Sequence, residues 1–330
     1  MDRQRLEGRD GDMTTLAEVQ PQERSAFLDQ VEVREAVAAD NQALLALTRL
    51  TPMAGRISLR IDREPDFFAL PRARGASKFF VAVLEGIIIG CFSVTLHEVY
   101  VEGKLERISH GNDLKVHPRF AGRRVGLRLL FAGEQYLRSQ GIDISVALFA
   151  EGNQRVVTLA EGRHGQAKSL SLGRFFVDQL LPWPFRGRSR QYQIGEATAS
   201  DLREAGAMLD EANRSRNFAP PATLESVKRW VEERPAGRFR KMLLARTAGR
   251  AVATLTVEDT GQLRQNVLMG LPPSLRFALG LLRIATPLIP KIAVPRLGQP
   301  LRILYVRFLA CVSGHEAALT ELLAEARVEA

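Results

Sequence analysis

The sequence predicts an α/β fold that occurs twice along the chain, and three observations carry the prediction. From Val31 to Phe149 the residues read as a strand, two helices, three strands, a helix and a strand. The stretch from Val116 to Leu130 packs a strand end, a glycine-containing turn and a helix start into 15 residues. The pattern of the first half then recurs beyond residue 190.

Each element has a local cause. Val31-Glu32-Val33-Arg34-Glu35 alternates apolar and polar residues, as a half-buried strand does, and Asp40 is placed to cap a helix running to about Leu50. Residues 51–76 mix Pro, Gly and Arg around the apolar patch Phe67-Phe68-Ala69-Leu70, which predicts a second helix and a loop. Lys78 to Leu84 and Ile87 to Val94 flank Glu85-Gly86 and predict a tight hairpin. Leu105 to Val116 reads as the next strand, and Pro118 ends it by removing a backbone donor. Val125, Leu129 and Tyr136 begin a stripe at helical spacing that runs to about Gln140, where Gly141 supplies a stop. Ile142 to Phe149 predicts another strand, and Asn153 opens a last helix, either as its N-cap or as a ligand contact.

The turn between Val116 and Val125 is the candidate binding element. Gly122 and Gly126 permit a tight bend or a close approach of backbone to a ligand. A helix start presents unpaired N–H groups and the positive end of its dipole, which suits a phosphate, and Arg119, Arg123, Arg124 and Arg128 add positive charge.

This stretch resembles motif A of the GCN5-related N-acetyltransferases, V-x-P-x-Y/F-R/Q-G-x-G-x-G/A. Val116, Pro118, Phe120, Gly122 and Gly126 match the pattern; Ala121 stands where Arg or Gln is usual, and Arg124 where the middle Gly is usual. The order of elements is similar to that family's fold, a mixed, mostly antiparallel central sheet flanked by helices. The resemblance implies binding of acetyl-CoA, or another acyl-CoA, by Lys115, Val116, Ala121, Gly122, Arg123, Arg124, Val125 and Gly126, with Asn153 as a further contact. It implies that the thioester carbonyl meets backbone N–H groups near Lys115 and Val116, with pantetheine added to the strand as an extra strand would be. Asn153 and Leu159 match the family's closing helix, in which Ala160 occupies the place of the Tyr that protonates the departing thiolate.

By the same resemblance, the base that deprotonates the amine lies about six residues before Val116, at His110, whose ordinary pKa suits it to general-base work. Asp113 is the second candidate and Glu106 the third. Strand alternation puts Asp113 on the face opposite His110 unless a bulge intervenes, whereas Glu106 shares His110's parity. His97, His117, His164 and His315 are scattered without ligand spacing, and no metal site is expected.

The second half repeats the first. Ile194 to Asp201 parallels Val33 to Asp40 at an offset of 201 − 40 = 161, and Met242 to Val257 repeats the hairpin around a turn at Gly249. The expected organisation is a polar N-terminal tail or added helix over 1–30, an acyl-CoA-binding domain over 31–180, a linker over 181–190 and a degenerate copy over 191–330. That copy carries an apolar insertion at 271–300 and ends before the last strand and helix of a complete unit.

Composition narrows the partners. Lys plus Arg exceed Asp plus Glu by 46 − 37 = +9, which favours acidic ligands such as coenzyme A. Without an RNA-binding motif, zinc-finger spacing or a long basic run, specific nucleic acid is not expected. Arg276, Arg283 and Lys291 interrupt the insertion, so it reads as a helix packed over the domain or as a basic amphipathic segment at a membrane surface, not as a membrane span. Cys91 and Cys311 lie far apart in apolar runs and read as buried thiols, and the N-terminus lacks an apolar signal core; both fit the cytoplasm.

The expected activity is acetyl transfer from acetyl-CoA to a primary amine whose identity, like the oligomeric state, one sequence does not decode. Two alternatives stand beside it: a non-catalytic acyl-CoA-binding or scaffold module, and a membrane-surface acyltransferase using longer chains.

Overall fold

The computed structural model describes residues 27–53, 55–150, 153–162, 169–180, 182, 191–232, 240–285 and 294–329. Most of the expected N-terminal tail, nearly all of the 181–190 linker, the middle of the apolar insertion and His164 lie outside the described residues.

The first half builds a five-stranded sheet in the order β1-β3-β4-β5-β6, from β1 (Glu32–Glu35), β3 (Ala76–Leu84), β4 (Ile87–Val101), β5 (Lys104–Val116) and β6 (Ser145–Ala147). All neighbours are antiparallel except β5 and β6. One face of the sheet buries Phe80, Phe92 and Val94 against Leu129 and Leu137 of α3 (Val125–Ser139). The other buries Phe79 and Val81 against Leu44 and Leu45 of α1 (Asn41–Leu50), with Phe67 between. Alternation along the strands thus feeds two cores, and this is why β3 and β4 read as nearly continuous apolar runs.

β4 extends seven residues beyond the expected end at Val94, to Val101, and turns at Glu102-Gly103 into β5. The polar residues Thr95, His97 and Glu98 hid this extension from a hydrophobic reading. Asp40 also differs from expectation. Its carboxylate makes no forward cap on α1; it accepts the N–H of Val37 at 2.8 Å and pairs with Arg34 at 2.8 Å.

The second half holds a four-stranded sheet in the order β11-β9-β8-β7, built from β7 (Gln193–Glu196), β8 (Arg240–Thr247), β9 (Arg250–Asp259) and β11 (Leu304–Cys311). Its faces are covered by α8 (Glu316–Glu329) on one side and by α5 (Leu202–Arg214) and α6 (Leu224–Glu232) on the other. At the 161-residue offset Asp201 repeats the backbone contact of Asp40, its carboxylate accepting the Thr198 N–H at 2.7 Å. Its cation is a different one, Arg246 of β8 at 2.7 Å, since Gly195 stands at the counterpart of Arg34.

Two strands absent from the sequence reading join the halves. β2 (Ser58–Asp62) lies where a helix and loop were expected, with only the short α2 (Ala69–Arg72) after it, and it pairs antiparallel with β10 (Gln265–Gly270) of the second half. Each is short and has its partner some 200 residues away in sequence, so no local hairpin signal exists (265 − 62 = 203). The tip of the β4–β5 hairpin is held as well: Phe218 N–H donates to the Tyr100 carbonyl at 2.7 Å, Tyr100 N–H to the Ala219 carbonyl at 2.8 Å, and the Tyr100 hydroxyl to Asp210 at 2.9 Å.

Of the two cysteines, Cys91 is buried and Cys311 only partly so, which corrects the expectation of two buried thiols.

Candidate active site

The site forms where β5 leaves its last neighbour. β5 pairs with β6 only at Ser109, His110 and Gly111, whereas its pairing with β4 continues to Val116. From Asn112 to Val116, therefore, the outer edge of β5 pairs with no strand among the described residues. This open edge runs directly into the Val116–Val125 turn and the start of α3.

The turn has the conformation an anion cradle requires. Gly122 is left-handed at φ +80°, with open space where a Cβ would stand. Arg124, immediately before α3, is also left-handed at φ +59°, a region that costs a residue with a side chain about 1–2 kcal/mol. At Gly126 a Cβ would meet Val116 and Leu114 only at ordinary contact distances of 3.6 and 3.8 Å. Packing inside the protein does not demand glycine at that position, whereas an approaching ligand would.

Two of the turn's arginines are already engaged. The Arg123 guanidinium lies 4.9 Å from the ring centroid of Phe27, which stacks on Phe120 at 5.8 Å, and Arg128 donates to the Leu28 carbonyl. Residues 27–29, in the segment read from sequence as a tail or an added helix, form a helical turn packed beside the cradle. His117 also shapes the turn, its Nδ1 accepting the Arg119 N–H at 3.2 Å.

A β-bulge decides which side chains meet. Asn112 pairs with Ser93 and Lys115 with Cys91, so two β5 residues, Asp113 and Leu114, face one β4 residue, and Asp113 takes a left-handed φ of +55°. Leu114 packs into the α3-side core, while Asp113 turns to the side shared by His110, Asn112 and Lys115. His110 and Asp113 therefore lie on one face, the exception that strand alternation allowed for.

On that face the two groups differ in chemistry. Asp113 is buried and held by Arg63 through two hydrogen bonds of 2.7 Å, with Lys115 at 3.9 Å. Burial opposes its ionisation, but Arg63, Lys115 and Arg74 outweigh burial and lower its pKa, so Asp113 is a weak base. His110 is half-buried and its pKa is also lowered, first by burial and then by His97 and Arg74, against an opposing pull from Asp113. Near neutral pH it is an uncharged imidazole able to accept a proton. Glu106 lies exposed four residues back along β5, roughly 13 Å of strand from His110.

Three residues of this face were not singled out from sequence. His97 stands diagonally across the β4–β5 ladder, its ring centroid 6.4 Å from that of His110. Locating the turn at Glu102-Gly103 would have revealed the pair. Arg63 and Arg74 come from the β2–β3 region and carried no motif. Arg74 remains accessible to solvent, yet crowding lowers its pKa, first by desolvation and then through Arg307 and Arg264 of the second half and Arg63 of the first. Arg264 precedes Gln265, which pairs with Asp62, so it stands across the β2–β10 ladder from Arg63. Cys91, beside this cluster, is no nucleophile: burial pushes its thiol up to about 12, and it donates to the Asp113 carbonyl at 3.3 Å.

Asn153 caps α4 (Gln154–Ala160), its side chain accepting the Val156 N–H at 3.5 Å, and Ala160 is the helix's last residue.

Residues 41–165 match the acetyltransferase (GNAT) family. The GNAT match thus spans α1 through the turn and α4, with the candidate bases inside it. Among solved structures, the glucosamine N-acetyltransferase region of a fungal multi-domain GH3 β-N-acetylglucosaminidase is 17% identical, with a TM-score of 0.55 over 90% of this chain and 33% of that one. That likeness shows the fold. An acetyltransferase of Trypanosoma brucei (20% identity, TM-score 0.33, 44% of this chain and 99% of that one) is also similar. So is glucosamine-6-phosphate N-acetyltransferase of Arabidopsis thaliana (18% identity, TM-score 0.33, 44% and 99%). No curated protein matches. Among the described residues no helix is long and apolar enough to cross a membrane.

Proposed function

We propose that the first half, residues 31–180, transfers an acetyl group from acetyl-CoA, or a related acyl-CoA, to an amine, and that residues 191–330 are a reduced copy of the same unit that completes the acceptor side. The observation that carries this reading is the unpaired β5 edge from Asn112 to Val116 running into the start of α3, with His110 at the point where β6 departs. The carboxylate-to-backbone contact repeated at Asp40 and Asp201 supports the duplication.

The chain's residues fit such a ligand. The N–H groups of Gly122 and of residues 124–126, at the positive end of α3, suit a pyrophosphate, and Val116 can offer a main-chain donor to an acyl oxygen. The Lys115 N–H, expected to share that role, faces β4 beside Cys91 instead. Bound acyl-CoA supplies an activated thioester. His110, neutral because burial and its cationic neighbours depress its pKa, accepts a proton from the amine nitrogen so that the lone pair is free to attack. Asp113 acts as a positioning residue, closing the bulge through Arg63. With alanine at the end of α4, a side chain at that place cannot return a proton to sulfur, so the source is water or the imidazolium of His110.

Arg74 and Arg264 stand beside this face, with Arg307 nearby but paired with Glu258 at 3.3 Å, and they point to an amine whose other end is anionic. A second reading, a binding module without turnover, is favoured by Arg124, which puts a left-handed side chain where close approach calls for none. Calorimetric titration of acetyl-CoA, together with thiol release across a panel of amines, separates the two: binding with release supports transfer, and binding without release supports the module. Absence of binding overturns both.

A further inference from the structure

From Thr260 to His315 the chain carries seven Lys or Arg and no Asp or Glu. Within this stretch lies α7 (Pro273–Ala285), which emerges from a clasped stem: Gly298 N–H donates to the Leu268 carbonyl at 2.8 Å and Leu301 N–H to the Asn266 carbonyl at 2.8 Å. Phe277, Leu281 and Ile284 recur at i, i+4 and i+7, one stripe of the helix, and are 70%, 54% and 77% exposed. Beside the stripe, Arg276, Arg283 and Arg296 line a groove with Leu271, Leu279 and Leu297.

An apolar stripe this exposed requires a cover, and the charge selects it. A second copy would bring the same acid-free stretch to the contact and so supply no carboxylate from it for these arginines. We propose that α7 and its groove dock on an anionic lipid surface, with the stripe entering the acyl boundary and the arginines meeting headgroup phosphates. A helix of 13 residues is too short to span a bilayer but suited to lying in its interface. The inference does not depend on acetyl transfer.

The test is vesicle co-sedimentation of the full chain, using phosphatidylcholine alone and phosphatidylcholine mixed with phosphatidylglycerol, at low and high salt. The chain is expected to pellet with the anionic vesicles at low salt and to be released by high salt. Phe277→Asp with Ile284→Asp should abolish pelleting with an unchanged melting temperature, since both side chains are exposed. Arg276→Gln with Arg283→Gln should weaken it by roughly 25-fold, about fivefold for each charge. The proposal is overturned if the wild-type chain stays in solution with anionic vesicles at low salt, or if the Asp pair pellets as wild type does. A doubled mass on size exclusion without vesicle binding would overturn it in favour of a second copy, and selective retention by an acidic protein surface without vesicle binding would overturn it in favour of a protein partner.

Discussion

Arg63 grips Asp113 through two parallel hydrogen bonds of 2.7 Å across 50 residues of sequence, and both side chains are buried. This pair fixes the bulge that brings Asp113 to the His110 face. Asp113→Ala would leave a buried guanidinium without its partner, and the expected loss of stability is about 3–5 kcal/mol, read from chemical denaturation. The pH dependence follows from the direction of the shift. A carboxylate with a depressed folded pKa contributes stability that is present above its unfolded value and lost as pH falls through the folded one. Wild type should therefore weaken in that acidic window more than Asp113→Asn.

For His110 the slope has the same sign, through a different charge: protonation burdens the folded state with a half-buried cation. Its folded pKa lies below the ordinary histidine value, so below that value the unfolded chain takes a proton that the folded state resists, and stability rises with pH across the window. In a transfer assay, His110→Gln should lower kcat/KM by roughly 100- to 10,000-fold and remove the acidic limb of the pH profile. His97→Gln should keep the limb and move it to higher pH by removing a neighbour that opposes protonation. A limb that survives in His110→Gln would assign the base elsewhere.

Gly126 and Gly133 both lie in α3, and alanine should act on them in opposite directions. At Gly126 the added methyl meets only ordinary contacts, so Gly126→Ala should leave stability unchanged or raise it by up to ~1 kcal/mol. Its cost should appear as weaker binding of acetyl-CoA by calorimetry. At Gly133 the methyl would stand 2.5 Å from Cε1 of Phe92, whose ring is fixed in the core, and Gly133→Ala should lose about 1–3 kcal/mol despite the better helix propensity.

Arg124→Gly should relieve the left-handed backbone before α3 and stabilise the fold by up to about 1 kcal/mol, read as a rise in melting temperature. Tighter acetyl-CoA binding in the same variant would identify the Arg124 side chain as an obstacle. Weaker binding would identify it as a phosphate contact.

On the acceptor side, Arg74→Gln should raise KM for an amine bearing a phosphate or carboxylate while leaving KM for a neutral amine unchanged. Steady-state kinetics on matched amine pairs provides the measurement. Equal effects on both members of a pair would detach the arginine cluster from acceptor recognition.

What the amino-acid order determined by itself is local. The hairpin at Glu85-Gly86, the stripe of α3 and the turn between Gly122 and Gly126 are written in residues within a few positions of one another, because turn sterics and helical periodicity act over that range. Even the left-handed residue before α3 was marked by its place in the pattern, although arginine occupies it. What only the tertiary structure decided is which distant groups share a face. The bulge at Asp113 reverses the side a strand rule assigns, β2 pairs with β10 across more than 200 residues, and Arg63, Arg74 and His97 reach His110 only once the sheets have formed. Strand pairing between remote segments leaves no periodic trace in either one, so this part of the site had to be read from the folded chain.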